Sequence, residues 1–274
     1  MKIIRIFITK TNATPTDDLV RINAMPSLFD YGIADEIHIS VTFTWDLKRA
    51  DDLYKQWKHV APTKIGGPAT GEKGGDFVPE MYLKKGYVIT SRGCNNNCWF
   101  CSVPKREGKL RELPITDGWI VTDDNLLACS SKHIDSVFEM LKKQPKRPQF
   151  VGGLESRLLT PQIAVKLKML NPTVMYFAYD NPNNYEALVE AGKILRSVGF
   201  KQSNHQARCY VLCGYAGDNF ANAEKRMIEA WQAGFMPFAM LFRDNSGKFN
   251  KEWKQFQRQW ANHYIVASKL KKLK

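Results

Sequence analysis

No stretch of this chain approaches the roughly 20 consecutive apolar residues that a membrane-spanning helix needs. The N-terminus also lacks the continuous apolar region of a signal peptide, because Lys2 and Arg5 interrupt its short hydrophobic run. Cysteine is scarce, with 6 among 274 residues, which argues against a disulfide-rich secreted scaffold. We therefore expect a protein of the reducing cytoplasm that has no membrane partner.

Acidic residues are in deficit, since 27 Asp and Glu stand against 40 Lys and Arg, a net charge of +13. The imbalance is concentrated in residues 245–274, where Glu252 is the single acidic residue and the net charge is +7. The basic residues there are Lys248, Lys251, Lys254, Arg258, Lys269, Lys271, Lys272 and Lys274. Such a segment fits either a solvated basic face or a surface that binds a polyanion such as a nucleic acid.

Three of the cysteines, Cys94, Cys98 and Cys101, lie close together with the spacing C-x3-C-x2-C and no fourth cysteine nearby. A structural zinc or a closed iron-sulfur cluster normally takes four protein ligands. Three thiolates can hold three irons of a four-iron cluster and leave the fourth iron open. A zinc site or a redox pair is the alternative, and its nearest further ligands, Cys129 and His133, lie beyond a predicted strand.

The cysteine spacing, with Gly93 before the first cysteine and Phe100 before the last, resembles the signature of the radical S-adenosylmethionine (SAM) enzymes. The resemblance implies a [4Fe-4S] cluster on the three cysteines, with SAM on the open iron and reductive cleavage to a 5'-deoxyadenosyl radical. It also implies an external electron donor of the flavodoxin or ferredoxin type. The chain is similar to small single-cluster radical SAM proteins of phages, archaea and bacteria.

From residue 87 onward, β-rich runs alternate with helical patterns, which predicts an α/β fold with parallel strand pairing. Predicted strands cover 87–90, 119–122, 150–152, 174–178, 207–213 and 237–241, and predicted helices cover 131–143, a segment that begins at 161, 185–198 and 219–233. This pattern agrees with the partial (β/α)6 barrel that radical SAM enzymes share. Residues 81–244 are the expected barrel domain.

Residues 1–80 predict a small Rossmann-like α/β domain followed by a glycine-rich linker, with strands at 3–8, 36–44 and 64–65 and a helix at 47–60. Its position resembles the cobalamin-binding domain of one radical SAM branch. The cobalt-ligating D-x-H-x-x-G motif is missing around His38, so we interpret the domain as vestigial. Residues 245–274 predict a basic C-terminal helix whose aromatic stripe docks on the barrel. The stripe consists of Trp253, Phe256, Trp260 and Tyr264.

Candidate SAM-binding residues follow the early strands, because the chemistry of β/α barrels lies at the carboxyl ends of the strands. The resemblance places a backbone group near Phe100 against the adenine. Asp123, Asp124 and Asn125 follow the second strand and offer acceptors for the SAM ammonium, although helix capping explains them equally well. After the third strand, the candidates for the SAM ribose and carboxylate are Gly152, Gly153, Glu155 and Arg157, with a structural ion pair as the alternative for the last two.

Later strand ends supply substrate-binding candidates, whereas no side chain is assigned a catalytic role. These candidates are Tyr176 and Asp180 on one strand face, Gly214, which is expected to open space, and Arg243. Cys209 and Cys213 share one face of a predicted strand and are expected in the core, not in a second cluster.

These observations favour a radical SAM enzyme whose substrate is a nucleic acid base or nucleotide, for example a modified thymidine in phage DNA. A radical SAM enzyme that modifies a small molecule or peptide is a second hypothesis. A non-catalytic iron-sulfur or zinc protein is the third.

Overall fold

Two parallel sheets, each with its own apolar core, form the fold of this computed structural model. The structure describes residues 1–271, so Lys272 and Lys274 of the basic segment lie outside the described residues. This architecture confirms the prediction of an α/β protein with parallel strands. No helix in the described part of the chain is both long and apolar enough to span a membrane.

The N-terminal module, residues 1–66, contains a four-stranded sheet and one packed helix. Its strands are β1 (Ile3–Phe7), β2 (Val20–Ile22), β3 (Glu36–Ser40) and β4 (Thr63–Gly66), and its helix is α1 (Leu47–Trp57). The strand order is β2-β1-β3-β4 and every pair is parallel. Leu53 and Trp57 of α1 are fully buried against Ile4 and Ile39 of the sheet. β2 was absent from the sequence prediction, and β3 ends at Ser40 rather than at residue 44.

The second sheet has six parallel strands in the order β12-β11-β10-β9-β8-β5. They are β5 (Tyr87–Val88), β8 (Ile120–Val121), β9 (Gln149–Leu154), β10 (Val174–Ala178), β11 (Ala207–Cys213) and β12 (Met236–Leu241). A short hairpin of β6 (Ser91–Arg92) and β7 (Arg111–Glu112) lies between β5 and β8. Within the described residues the edge strands β5 and β12 do not pair, so the sheet is not a closed barrel.

Helices follow the strands, as the alternating pattern predicted. They are α2 (Val103–Arg106), α3 (Ser131–Lys142), α4 (Pro161–Leu170), α5 (Tyr185–Ser197), α6 (Phe220–Gln232), α7 (Lys251–Ala261) and α8 (His263–Lys271). The start predicted for α4 is confirmed, because the Thr160 hydroxyl accepts a hydrogen bond from the Ile163 N–H at 3.2 Å and Pro161 occupies the first turn.

Strand alternation separates a helix-covered face of the second sheet from an open face. Met175 and Phe177 of β10 are fully buried in the main core, where a side chain such as Phe177 contributes about 1.5–3 kcal/mol through burial. Tyr176 and Ala178 point to the opposite face, where Tyr176 is covered by Tyr210 and Phe238 and Ala178, at the carboxyl end, is exposed. This open face and the carboxyl ends of its strands are therefore available for a site.

The C-terminal segment forms two helices instead of the one predicted. The chain becomes extended at Asn262, whose side chain accepts a hydrogen bond from the Tyr264 N–H at 3.0 Å. Trp260 is fully buried, but Tyr264 is 74% exposed, so including Tyr264 in the docked stripe was wrong. The break at Asn262 explains this, because it ends the helical spacing that had placed Tyr264 below Trp260.

The glycine-rich segment, residues 66–75, is fixed to the part of the chain that carries the six-stranded sheet, called the second domain below. Buried Glu107 accepts hydrogen bonds from Arg106 and Arg111, each at 3.0 Å, and from the Gly74 N–H at 3.2 Å. Arg111 also donates to the Gly74 carbonyl. On the other side of the module, the Thr44 hydroxyl donates to the Asn245 carbonyl at 2.8 Å. The N-terminal module thus contacts the region near the cysteines and the segment after β12.

Candidate functional site

The three cysteines lie on one loop at the carboxyl end of the second sheet. This cysteine loop, residues 93–102, connects β6 to α2. Gly93 has a φ of +85°, and a Cβ there would lie 2.4 Å from the Lys109 carbonyl oxygen, so the backbone passes where a larger residue does not fit. The Cys94 N–H donates to the Gly108 carbonyl at 3.3 Å, and the Cys101 N–H donates to the Cys98 carbonyl at 3.0 Å. The loop is therefore held by a backbone hydrogen bond within it and by one to the segment after α2.

The thiols of this loop influence one another. Burial raises the pKa of Cys98, and negative charge on Cys101 and Cys94 raises it further. Burial also raises the pKa of Cys101, to which charge on Cys94 adds. Neighbouring thiolates repel one another, so without a cation these cysteines favour the protonated thiol form.

Cys94, Cys98 and Cys101 are the three thiols that a cluster with three cysteine ligands would use. Within residues 1–271, no group of three or more His, Cys, Asp and Glu side chains already converges as a metal site. His133, an alternative zinc ligand, instead contacts Glu112, with its Nδ1 at 3.7 Å from the carboxylate. Cys129 is buried, and burial raises the pKa of its thiol to about 11.

Two aspartates after β8 accept hydrogen bonds from the residues that lead into the cysteine loop. The Asp123 carboxylate accepts hydrogen bonds from the Thr90 N–H at 2.6 Å, the Thr90 hydroxyl at 2.5 Å and the Ser91 hydroxyl at 2.8 Å. Asp124 accepts from the Gly93 N–H at 2.8 Å. Burial raises the pKa of both carboxyl groups. The observed partners of both residues are backbone and hydroxyl groups that position the loop.

A polar network lies directly beside Cys94. The buried Asn125 amide donates to Glu155 at 2.8 Å and to the Cys94 Sγ at 3.6 Å, which brings two sequence-predicted residues together. Asn96 also donates to Glu155, at 2.7 Å. Arg157 forms an ion pair with Glu155 and donates to the Asn96 side chain at 2.9 Å. The buried Oδ1 of Asn125 has no hydrogen-bond partner among the described residues, so an acceptor remains free here.

The two glycines of β9 have different roles. A Cβ on Gly152 would lie 2.0 Å from the Asp123 carbonyl oxygen, so this glycine permits close approach to the chain after β8. Gly153 has a φ of +108°, and nothing lies within 4 Å of the position of its missing Cβ. Open space therefore exists at Gly153, two residues before Glu155.

Aromatic side chains extend from the cysteine loop. Trp99, between Cys98 and Phe100, is 64% exposed. Its ring contacts Phe100, Tyr215 and Phe242 at centroid distances of 5.5, 5.4 and 5.6 Å. Phe100 was a candidate from the sequence, whereas Trp99 and Asn96 were not, although their positions between the cysteines were a usable signal.

The substrate-binding candidates are distributed over several environments. Tyr176 stacks on Tyr210 at 4.1 Å and accepts a hydrogen bond from Arg208 at 3.2 Å. Asp180 accepts from the Leu212 N–H at 2.8 Å, and burial raises its pKa to about 6. Negative charge on Asp180 also raises the pKa of Cys98, so Asp180 belongs to the electrostatic surroundings of the loop.

The other two candidates lie in packed contacts. The expectation of open space at Gly214 was wrong, because Leu241 and Trp253 lie 2.9 and 3.0 Å from where its Cβ would be. Arg243 lies over the rings of Trp45 and Phe249, at 5.4 and 4.7 Å.

Cys209 and Cys213 are fully buried, as strand alternation predicted. Burial raises the pKa of Cys213 to about 12 and that of Cys209 well above its ordinary value. These thiols are core side chains of β11.

Comparison with known proteins gives no family assignment. No family model matches the chain. No curated protein matches it either.

Proposed function

We propose that this protein is a radical SAM enzyme that acts on a nucleic acid base or nucleotide. The observation that carries the proposal is the C-x3-C-x2-C loop at the carboxyl end of a parallel sheet, beside a polar network with a free buried acceptor. In this proposal the six-stranded sheet is a partial (β/α)6 barrel, and the N-terminal module is a Rossmann-like domain.

Cys94, Cys98 and Cys101 would hold three irons of a [4Fe-4S] cluster, and SAM would occupy the fourth. A bound cluster, reduced by an external flavodoxin or ferredoxin, would supply the one electron needed for reductive cleavage of SAM, and so the radical chemistry of hydrogen abstraction. The chain's own task is to fix the ligands and to position the cofactor.

Two groups of residues share this task. Asp123 and Asp124 position the loop through Thr90, Ser91 and Gly93. The oxygens of Glu155 and Asn125 would bind SAM, because carboxylate and amide oxygens accept hydrogen bonds from an ammonium or from ribose hydroxyls. The open space at Gly153 would leave room for the bound SAM. Asn96 and Arg157 keep the Glu155 carboxylate oriented.

The exposed Trp99 supports a substrate with an aromatic ring. It is 64% exposed, its ring contacts Tyr215 and Phe242, and it lies within the cysteine loop. Nucleobases stack on such side chains with about 1–3 kcal/mol per base. The exposed Lys248, Lys251 and Arg258 offer charge for phosphates.

Anaerobic reconstitution tests the chemistry. We expect about four irons and four sulfides per chain, and 5'-deoxyadenosine after addition of dithionite and SAM. Cys98→Ala should abolish the product, whereas Cys129→Ala, a change at a cysteine outside the loop, should retain it. Stoichiometric zinc in place of iron, or no 5'-deoxyadenosine from a loaded cluster, would refute the proposal.

A binding series with labelled single-stranded DNA and RNA tests the substrate class. Trp99→Ala should weaken binding about tenfold, because a stacking surface is lost. Tyr264→Ala, which removes another exposed aromatic ring, should change little. A triple variant with glutamine in place of Lys248, Lys251 and Arg258 should show a weaker salt dependence of binding. The control variant, with glutamine in place of the exposed Lys132, Lys143 and Lys201, should keep the salt dependence of the wild type. Binding that is independent of salt and of Trp99 would exclude a nucleic acid and leave a small molecule or peptide.

A further inference from the structure

A separate cavity of about 630 Å³ lies where the N-terminal module meets the second domain. Residues at the carboxyl ends of three N-terminal strands line it, including Phe7 at the end of β1, Thr42 after β3 and Gly67 after β4. Arg92 and Arg106 line it from the second domain, and none of the three loop cysteines does. Its volume is within the range of small-molecule sites.

The topology of the N-terminal sheet places this cavity where open α/β sheets bind ligands. In the order β2-β1-β3-β4, the chain leaves β1 toward one edge and returns to its other side with β3. The change of direction makes the boundary between β1 and β3 a topological switch point. Loops that follow the two strands diverge there and leave a crevice outside their carboxyl ends.

The lining has the chemistry of a nucleotide site. Apolar walls, including Phe7, Ile39, Ile65, Phe77, Leu83 and Ile89, suit a planar ring. Lys73 is exposed and has no ion pair among the described residues, so its ammonium is free for an anion. The exposed carboxylates of Glu72 and Asp76 can accept hydrogen bonds from sugar hydroxyls.

Arg92 gives this lining a second cation for a phosphate. Its side chain is 20% exposed and forms an ion pair with Glu107, with Nη1 at 3.8 Å from the carboxylate, so among the described residues its two Nη groups donate no hydrogen bond. Its Nε donates to the Gly75 carbonyl at 3.1 Å, which fixes the guanidinium over the glycine-rich segment. A fixed guanidinium with donors to spare suits a phosphate.

We propose that this cavity is a binding site for a mononucleotide-type ligand, a planar ring that carries a sugar or sugar-like chain and a phosphate. The ring lies against the apolar wall, the hydroxyls meet Glu72 or Asp76, and the phosphate meets Lys73 and Arg92. The site is separate from the cysteine loop, and the proposal does not depend on the radical SAM chemistry.

Calorimetric titration of the full chain with AMP, UMP and FMN, each compared with its unphosphorylated form, tests this site. We expect at least one phosphorylated compound to bind with a Kd below about 1 mM and about tenfold more tightly than its unphosphorylated form. Lys73→Ala should remove most of that difference, whereas Lys48→Ala, at an exposed lysine of α1, should not.

A second variant blocks the cavity itself. Thr42→Trp places a large ring in the cavity from an exposed position, and should weaken binding at least tenfold while thermal unfolding stays that of wild type. Thr16→Trp, at an exposed threonine outside the cavity, is the matched control. The proposal is overturned if no phosphorylated compound binds, if the unphosphorylated forms bind equally well, or if Thr42→Trp binds like wild type.

Discussion

Gly93 and Gly108 both have a positive φ, of +85° and +73°, but their surroundings differ. A Cβ at Gly93 would lie 2.4 Å from the Lys109 carbonyl oxygen, whereas nothing lies within 4 Å of the Cβ position at Gly108. Alanine substitutions at the two positions therefore distinguish the free-energy cost of backbone strain from that of a steric clash. Gly93 also donates its N–H to Asp124, so a shift of its backbone would reach the first cysteine.

We expect Gly93→Ala to lower the free energy of unfolding by about 3 kcal/mol or more, because strain and a clash with backbone add. Gly108→Ala should cost about 1 kcal/mol, because strain acts alone. Urea unfolding measures both values, and iron content after reconstitution shows whether only Gly93→Ala disturbs the loop. Equal losses for the two variants would contradict the steric argument.

At the scale of elements, the sequence predicted those helix and strand bounds that are set by interactions between residues close together in the chain. Thr160 and Pro161 predicted the start of α4, and the structure confirms it. The predicted bounds of β10 and β11 are also confirmed. By contrast, β5 and β8 are two residues each, shorter than predicted, because Thr90 leaves the sheet to donate its N–H to Asp123. That contact joins positions 33 residues apart, so no local pattern reveals it.

The same distinction applies to the candidate site, where some contacts were predictable from the sequence and others were not. The carboxyl-end rule placed Asn125 and Glu155 on neighbouring strand ends, and they are hydrogen-bonded. Asn96 reaches Glu155 across 59 residues, a pairing that depends on the path of the cysteine loop. The break at Asn262 had a local signal, since asparagine is a common helix cap, but the continuing aromatic spacing concealed it.

At the scale of the whole molecule, one buried carboxylate connects the N-terminal module to the domain that carries the cysteines. The Glu107 side chain is 1% exposed and is surrounded by Arg92, Arg106 and Arg111. The arginines also donate to backbone carbonyls of the glycine-rich segment, which the sequence had predicted to be a linker. The ion pairs with Arg106 and Arg111 are local in sequence, but the bonds from the arginines to the glycine-rich segment join distant positions and have no periodic signature, so they were not predicted from the sequence.

Removing the Glu107 charge should loosen this connection. Burial raises the pKa of Glu107, but hydrogen bonds from Arg106 and Arg111 outweigh it, and the net pKa is lowered from 4.5. A carboxyl group whose pKa is lowered on folding stabilises the protein above its unfolded pKa. That contribution is lost as the pH falls through the folded value.

We therefore expect Glu107→Gln to lower the free energy of unfolding by about 3–5 kcal/mol at pH 7, because guanidinium groups remain buried without their partner. Glu139→Gln, which breaks an exposed pair with Lys142, should cost less than about 0.5 kcal/mol. The gap between wild type and Glu107→Gln should narrow as the pH falls below 4.5, the ordinary pKa of the carboxyl group. Urea unfolding at a series of pH values measures the gap, and proteolysis within residues 66–75 should accelerate in Glu107→Gln alone. A gap that stays constant below pH 4 would show that the carboxylate charge does not hold the two parts together.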